Sequence, residues 1–393
     1  MAPFVRGEAI LKAVLSLPSE GTFVGRVWLP EAGGPGIVLV ENGTIYDITC
    51  PAAPTMADLL EMDDCVGFVR AAEKRKLGSV DAVAADTIAG NHGALHFLAP
   101  CDLQAVKASG VTFAQSILER VIEEKAAGDP ALAVAFRARI EASIGGGLRD
   151  LVPGSPEAMA LKQTLIEEGL WSQYLEVGIG PDAEVFTKSQ PMSCVGWGAA
   201  VGIHPASHWN NPEPELVLFV NSRGDIKGAS LGNDVNLRDI EGRSALLLGK
   251  AKDNNASCAV GPLVRLLDES YGLDDIRRSE VELRVEGSDG FVLEGQSSMS
   301  EISRDPTDLV SQAINRNHQY PDGFILFLGT LFTPVQDRGE AGQGFTHHRG
   351  DVVAISNHHL GRLVNIVLPS DECPKWSFGV RALMKNLSGR KLL

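Results

Sequence analysis

Apolar residues recur along this chain at two spacings, and the change of spacing divides it. Phe23-Val24-Gly25-Arg26-Val27-Trp28-Leu29 and Gly36-Ile37-Val38-Leu39-Val40 alternate or are β-branched, which predicts strands. Asn42-Gly43 and the following Thr44-Ile45-Tyr46-Asp47-Ile48 predict a hairpin. A helix is expected to begin at Thr55, its cap, with Asp58 at the reciprocal capping position that Glu or Gln usually fills. Phe113, Ile117, Leu118 and Val121 repeat at helical spacing, and a second helix is expected over Pro130–Ile144, capped by Asp129. Gly145-Gly146-Gly147 breaks it, so an N-terminal accessory domain of strands and helices is expected over residues 1–147. From 148 to 393, polar segments rich in Gly, Pro and Asn alternate with strands such as Leu216-Val217-Leu218-Phe219-Val220, Phe324-Ile325-Leu326-Phe327-Leu328 and Val352-Val353-Ala354-Ile355. The expected class is mixed α/β, with a β-rich C-terminal domain whose polar loops converge on a site.

Length and charge narrow the function. At 393 residues the chain exceeds what one core usually serves, which favours two domains. The net charge of −15 opposes general binding of nucleic acid or anionic membrane. The uncharged run Cys194–Ile203 is about half of the ~20 residues needed to cross a bilayer. The first residues do not read as a signal peptide, and six scattered cysteines form no CxxC pair, so a reducing cytoplasm is the expected compartment.

The candidate chemistry is acidic. Glu213 and Glu215 flank Pro214, and Asp234 follows 19 residues after Glu215, in Gly232-Asn233-Asp234-Val235-Asn236-Leu237-Arg238-Asp239. Strand periodicity places both glutamates on one face, where they repel unless a cation or protons neutralise them. Three carboxylates without a thiol or clustered histidines suit Mg²⁺ or Mn²⁺. The bland alternative is an edge strand with a polar face and Asp234 capping a turn.

The blocks around the trio decide between these readings. Phe186-Thr187-Lys188, Glu213-Pro214-Glu215-Leu216, the Gly232–Asp239 block, Gly249-Lys250-Ala251-Lys252 with Ser257-Cys258-Ala259-Val260-Gly261-Pro262, and Gly329-Thr330 closely resemble, in order, the signature blocks of the fumarylacetoacetate hydrolase superfamily. Gly350-Asp351-Val352-Val353 and Leu360-Gly361-Arg362-Leu363-Val364-Asn365 resemble its closing hairpin. The resemblance implies a catalytic domain over 148–393 with that superfamily's C-terminal β-roll, assembled as a homodimer or homotetramer. It implies one Mg²⁺ or Mn²⁺ per subunit on Glu213, Glu215 and Asp234, chelating a small 2-oxo acid. By the same match Lys252 lies close to metal and substrate, and Lys188 and Thr330 occupy substrate-pocket positions.

Superfamily members share a cation-polarised 2-oxo group that stabilises enolate charge at C3. Its hydrolases carry a water-activating histidine on the segment that corresponds here to Glu168–Gly180, which has none. His204 and His208 do not match that position. The Trp171-Ser172-Gln173-Tyr174-Leu175-Glu176-Val177-Gly178-Ile179-Gly180-Pro181 run, with the long chain and its N-terminal domain, instead resembles the 2-keto-3-deoxy-pentonate dehydratase branch. The resemblance thus implies dehydration of a 2-keto-3-deoxy sugar acid of pentose metabolism to 2-oxoglutarate semialdehyde. The alternative is hydrolysis or lysis of a C–C bond in a 2,4-diketo acid or acylpyruvate at the same metal, and a non-catalytic sugar-acid binder is a third reading. Lys252 and Glu176 are the candidates for acid and base, with their division open, and Glu176 could equally be a structural ion pair. Ser189, Gln190 and Asn254 are candidates for sugar hydroxyls, and Asn233 and Arg238 for substrate contact or for holding the metal loop. His347-His348 and His358-His359 make poor metal sites, because neighbours on a strand face opposite ways.

Overall fold

The computed structural model describes residues 17–113, 117, 121, 151–332, 334, 336–338 and 344–393. The first part contributes β1 (Phe23–Leu29), β2 (Gly34–Glu41), β3 (Thr44–Asp47), β4 (Arg75–Ser79), β5 (His96–Leu98) and β6 (Ala105–Gly110). The second contributes β7 (Glu184–Ser189), β8 (Ala200–Ile203), β9 (Pro214–Val220), β10 (Ile226–Asp234), β11 (Cys258–Leu266), β12 (Glu280–Glu286), β13 (Val292–Ser298), β14 (Phe324–Phe327), β15 (Val352–Asn357) and β16 (Gly361–Pro369). Among the described residues these form two sheets. The larger runs β4-β3-β2-β1-β11-β10-β9-β14-β6-β7 with β5 on β1, and the smaller runs β13-β12-β15-β16-β8. The fold is mixed α/β and rich in sheet.

The local expectations hold where they can be followed. Asn42 and Gly43 both take positive φ (48° and 69°), the conformation a two-residue hairpin needs. Thr55 caps the helix Met56–Glu61, accepting from the Asp58 amide, while its hydroxyl donates to the Asp58 carboxylate at 2.6 Å. Of the helix expected after Phe113, Ile117 and Val121 are described, both helical and buried, with the Ile117 amide donating to the Phe113 carbonyl at 3.0 Å. The rest of it, the helix expected over Pro130–Ile144 and the glycine break lie outside the described residues. So does the boundary expected at 147/148, but the strands on either side of it share one sheet. Val24 on β1 pairs with Val264 on β11, and β6 runs parallel to β14 with Ala105 opposite Phe324.

The central strand explains why its sequence does not alternate. Every residue of β9 is buried, because both faces of the large sheet are covered. Leu216, Leu218 and Val220 enter a core shared with the smaller sheet. Val217 and Phe219 enter a second core under the helices Met56–Glu61 and Cys65–Ala71. By contrast β12 alternates exposed and buried positions, since the smaller sheet has one wet face.

Behind the smaller sheet, the Gly350-Asp351 block has a visible job. The buried Asp351 carboxylate receives Nη1 and Nη2 of Arg338 at 2.5 and 2.8 Å and the His348 amide at 2.9 Å. His347 Nδ1 lies 3.2 Å from it, so this histidine ties down a loop.

Gly232, two residues before Asp234, sits where two side chains converge. A Cβ there would lie 2.3 Å from Phe327 Cε1 and 2.6 Å from Val217 Cγ2. Gly232→Ala is therefore expected to destabilise the protein by ~1–3 kcal/mol, the usual cost of overpacking, measured as a lower urea midpoint at unchanged m value.

Candidate metal centre and substrate cavity

Glu213 and Glu215 stand at the entry to β9, and the chain turns at Asn221–Asp225 to return as β10. In that register Gly232 lies opposite Glu215, and the Asp234 amide donates to the Glu213 carbonyl at 3.1 Å. The hairpin thus converts 19 residues of separation into contact. One carboxylate oxygen from each of Glu213, Glu215 and Asp234 lies within 4.8 Å of the other two, and all three carboxylates are buried in the fold.

Each carboxylate is separately held. Glu215 Oε2 accepts the Gly329 amide at 2.6 Å. Gly329 adopts φ +87°, and a side chain there would run into Thr112 Oγ1, so glycine is required to present this amide. Glu213 receives Asn236 Nδ2 on Oε1 and Lys252 Nζ on Oε2, each at 2.8 Å. Lys252 Nζ also reaches Asp234 Oδ2 at 3.1 Å. Lys188, 0% exposed, approaches Asp234 Oδ1 at 2.7 Å from behind and also donates to the Val235 and Lys252 carbonyls.

The electrostatics follow. Burial pushes the Glu215 carboxyl well above its ordinary range, and repulsion from Asp234 and Glu213 adds to the rise. Burial also raises Glu213, although Lys252 pulls it down. Asp234 is buried too, but Lys188 and Lys252 outweigh that and hold it below its ordinary value. Burial works against the Lys252 ammonium, yet Asp234 and Glu213 prevail and keep its pKa well above normal. Three carboxylates against Lys188 and Lys252 leave one negative charge. Converging oxygen donors whose ionisation burial opposes fit a hard divalent cation.

The trio and Lys252 line a cavity of about 330 Å³, with Thr330 on its wall. The structure departs from sequence expectation at the other positions. Glu176 lies in the helix Gln173–Ile179, which turns Gln173, Tyr174 and Val177 toward the cavity instead. The Glu176 carboxylate is gripped by Lys162 Nζ (2.8 and 2.7 Å) and Trp171 Nε1 (3.0 Å), and Lys162 chiefly depresses its pKa. It is a structural ion pair outside the cavity wall. Lys188 braces Asp234 from the protein interior and does not line the cavity either. Ser189 bonds Ser193, Gln190 Nε2 reaches Asp253 at 2.8 Å, and Asn254 Nδ2 holds the Lys250 carbonyl at 2.8 Å. Asn233 accepts from the Glu213 amide, and Arg238 stacks on Trp209 at 4.2 Å. None of these five lines the cavity. Sequence reasoning passed over Glu241, Arg243 and Ser244, which line the cavity. Their signal was position, since they fall between two recognised blocks, those of Asp234 and Lys252.

With this geometry in place, residues 178–368 match the fumarylacetoacetate (FAA) hydrolase C-terminal family. The match covers 191 of the 393 residues, just under half of the chain. Two curated relatives of the chain are sugar-acid enzymes by name. The chain is 32% identical over 187 residues to the 2-dehydro-3-deoxy-D-arabinonate dehydratase of Saccharolobus solfataricus, covering 47% of this chain and 58% of that protein. It is 31% identical over 201 residues to a probable 2-keto-3-deoxyxylonate dehydratase of Haloferax volcanii, covering 51% of this chain and 65% of that one. The sequence matches thus span less than two thirds of either relative. Among solved structures, 2-keto-3-deoxy-D-arabinonate dehydratase shares the fold at TM-score 0.61, with 21% identity over 88% of this chain and 99% of that one. The same enzyme complexed with magnesium and 2,5-dioxopentanoate also gives 0.61, at 20% identity over 88% of this chain and 99% of that one. Among the described residues no helix is long and apolar enough to cross a membrane.

Two measurements test the metal centre. Mg²⁺ or Mn²⁺ at a hundredfold excess over Kd is expected to stabilise the protein by ~2.7 kcal/mol in a thermal melt, and Glu215→Gln is expected to raise the metal-free Tm while abolishing that gain. The pH dependence has a definite sign. Glu215 titrates higher in the fold than the ~4.3 of an unfolded glutamate, so its contribution is full below that value. Metal-free stability should fall as pH rises from there through the raised folded value, and Mg²⁺ should flatten the fall; an unchanged slope with Mg²⁺ would count against the site.

Proposed function

We propose that this protein is a hydro-lyase that dehydrates a 2-keto-3-deoxy sugar acid, a pentonate, to 2-oxoglutarate semialdehyde, using Mg²⁺ or Mn²⁺ held by Glu213, Glu215 and Asp234. The observation that carries the reading is the buried carboxylate trio with Lys252 in its midst, opening on a cavity with no histidine among its described lining residues. A water-activating imidazole is what C–C hydrolysis would need there. The names of the two curated relatives and the product in the neighbouring complex point the same way.

A divalent cation on the trio supplies Lewis-acid polarisation of the 2-oxo group. The chain's own residues do the rest. The 330 Å³ cavity has room for a five-carbon acid. Lys252, kept as an ammonium by Asp234 and Glu213, presents a proton and a positive charge where negative charge develops. Lys188 fixes Asp234 so that the donors hold their spacing, and Gly329 does the same for Glu215. Thr330 stands beside Gly329 at the wall, placed for a substrate oxygen. Residence in the cytoplasm and assembly as a homodimer or homotetramer belong to the same proposal, on the family resemblance.

The test is to incubate the Mg²⁺-loaded protein with each C4 epimer of 2-keto-3-deoxypentonate and weigh the products. Loss of one water from either epimer is expected. Fragments containing pyruvate would overturn the reading in favour of C–C cleavage, and saturable binding without turnover would favour a binder. Lys252→Met is expected to lower kcat by ~10²–10³-fold while Mg²⁺ still raises the Tm, the range for loss of one donor aimed at developing negative charge.

A further inference from the structure

The proposed reaction needs a group that accepts a proton from C3, and the groups nearest the reacting centre are already committed. Glu213, Glu215 and Asp234 face one another as cation ligands. Lys252 carries its proton and bonds two of them. Glu176 is tied to Lys162 and Trp171 away from the cavity. Tyr174 and Glu184, also on the wall, are engaged by neighbours.

Glu241 differs from all of these. It ends the short helix Arg238–Glu241 and lines the cavity. Its Oε2 is buried without a hydrogen-bond partner among the described residues. It shares that wall with Glu213, Glu215, Asp234 and Lys252 without being one of the converging trio. A buried carboxylate oxygen left unpartnered is costly, and such positions concentrate where a ligand completes the bonding. Gly242 follows it, and Arg243 and Ser244 continue the same wall.

We infer that Glu241 is the carboxylate that removes the C3 proton, an assignment that rests on the dehydratase reading for its substrate. The C3–H bond breaks, its proton forms an O–H bond on Glu241, and the electron pair enters C2–C3 as the 2-oxo oxygen takes the charge. The 2-oxo group then re-forms while C3=C4 forms and the C4–O bond breaks. The departing hydroxyl takes the proton back from Glu241 and leaves as water, so Glu241 ends ionised. Subsequent tautomerisation to the C5 aldehyde conserves every atom.

The proton step can be read without dehydration. The full chain loaded with Mg²⁺ is placed in D₂O with 2-oxopentanoate, which has C3 hydrogens but no C4 hydroxyl, and exchange at C3 is followed by NMR. Glu241→Gln is expected to slow exchange by ~10²-fold or more, with the Mg²⁺-induced rise in Tm retained and Glu241→Asp partly active. The assignment is overturned if Glu241→Gln exchanges as fast as the unaltered protein, if it also loses the Mg²⁺-induced rise, or if the unaltered protein does not exchange at all. The two proposals fail separately. Exchange in the unaltered protein without dehydration of either epimer sinks the dehydratase and leaves Glu241 as the base. Dehydration by Glu241→Gln at an unchanged rate sinks Glu241 and leaves the dehydratase.

Discussion

Glu213, Glu215 and Asp234 bring like charges together in a space that water scarcely reaches, and much of the surrounding structure exists to hold them there. Left alone, such a set would separate or take up protons. Lys188 counters it from inside the protein and Lys252 from the cavity side, while the Gly329 amide and Asn236 side chain fix the orientation of the glutamates. What remains is one negative charge and a set of oxygen donors already spaced for a cation. A cation bound there would relieve that repulsion, so its binding would be linked to folding.

The fold supplies the rigidity this requires. β9 and β10 lie in the middle of the large sheet, with β11 and β14 on either side and buried side chains above and below. A site on central strands is held more tightly than one on loops alone, which suits chemistry sensitive to sub-ångström displacement. The N-terminal strands enter the same sheet through β1 and β6, so the first part of the chain stabilises the strands that carry the trio. The cavity wall is built differently, from the segment between Asp234 and Lys252 and from the helix Gln173–Ile179. The trio and the rest of the cavity wall therefore reside on different kinds of element. Variation in the substrate is expected to be written in the wall.

Some of this was legible beforehand because it is encoded locally. The Asn42-Gly43 hairpin, the Thr55 cap and the β-branched strands each depend on a few neighbouring residues. The trio was legible because strand period 2 and a hairpin return are the only geometry needed to bring it together. Glu176 misled because acidity in a family-like segment says nothing about which way a helix turns its side chain. The rotation of that helix gave the carboxylate to Lys162 and Trp171. Lys188 was recognised as part of the site, but its placement behind Asp234 depends on β7 passing under the metal loop, and no local pattern records that.

By itself, the sequence determined the strands, their turns, the carboxylate trio and the ordered blocks that identify the domain, since these are set by residue type and short-range spacing. Only the tertiary structure decided which of the polar residues around those blocks reach the cavity. Glu241 and Arg243 do, while Glu176, Gln190 and Asn254 do not. The physical reason is that orientation within a site is fixed by packing and by competing hydrogen bonds between segments far apart in the chain, and these appear only once the chain has closed on itself.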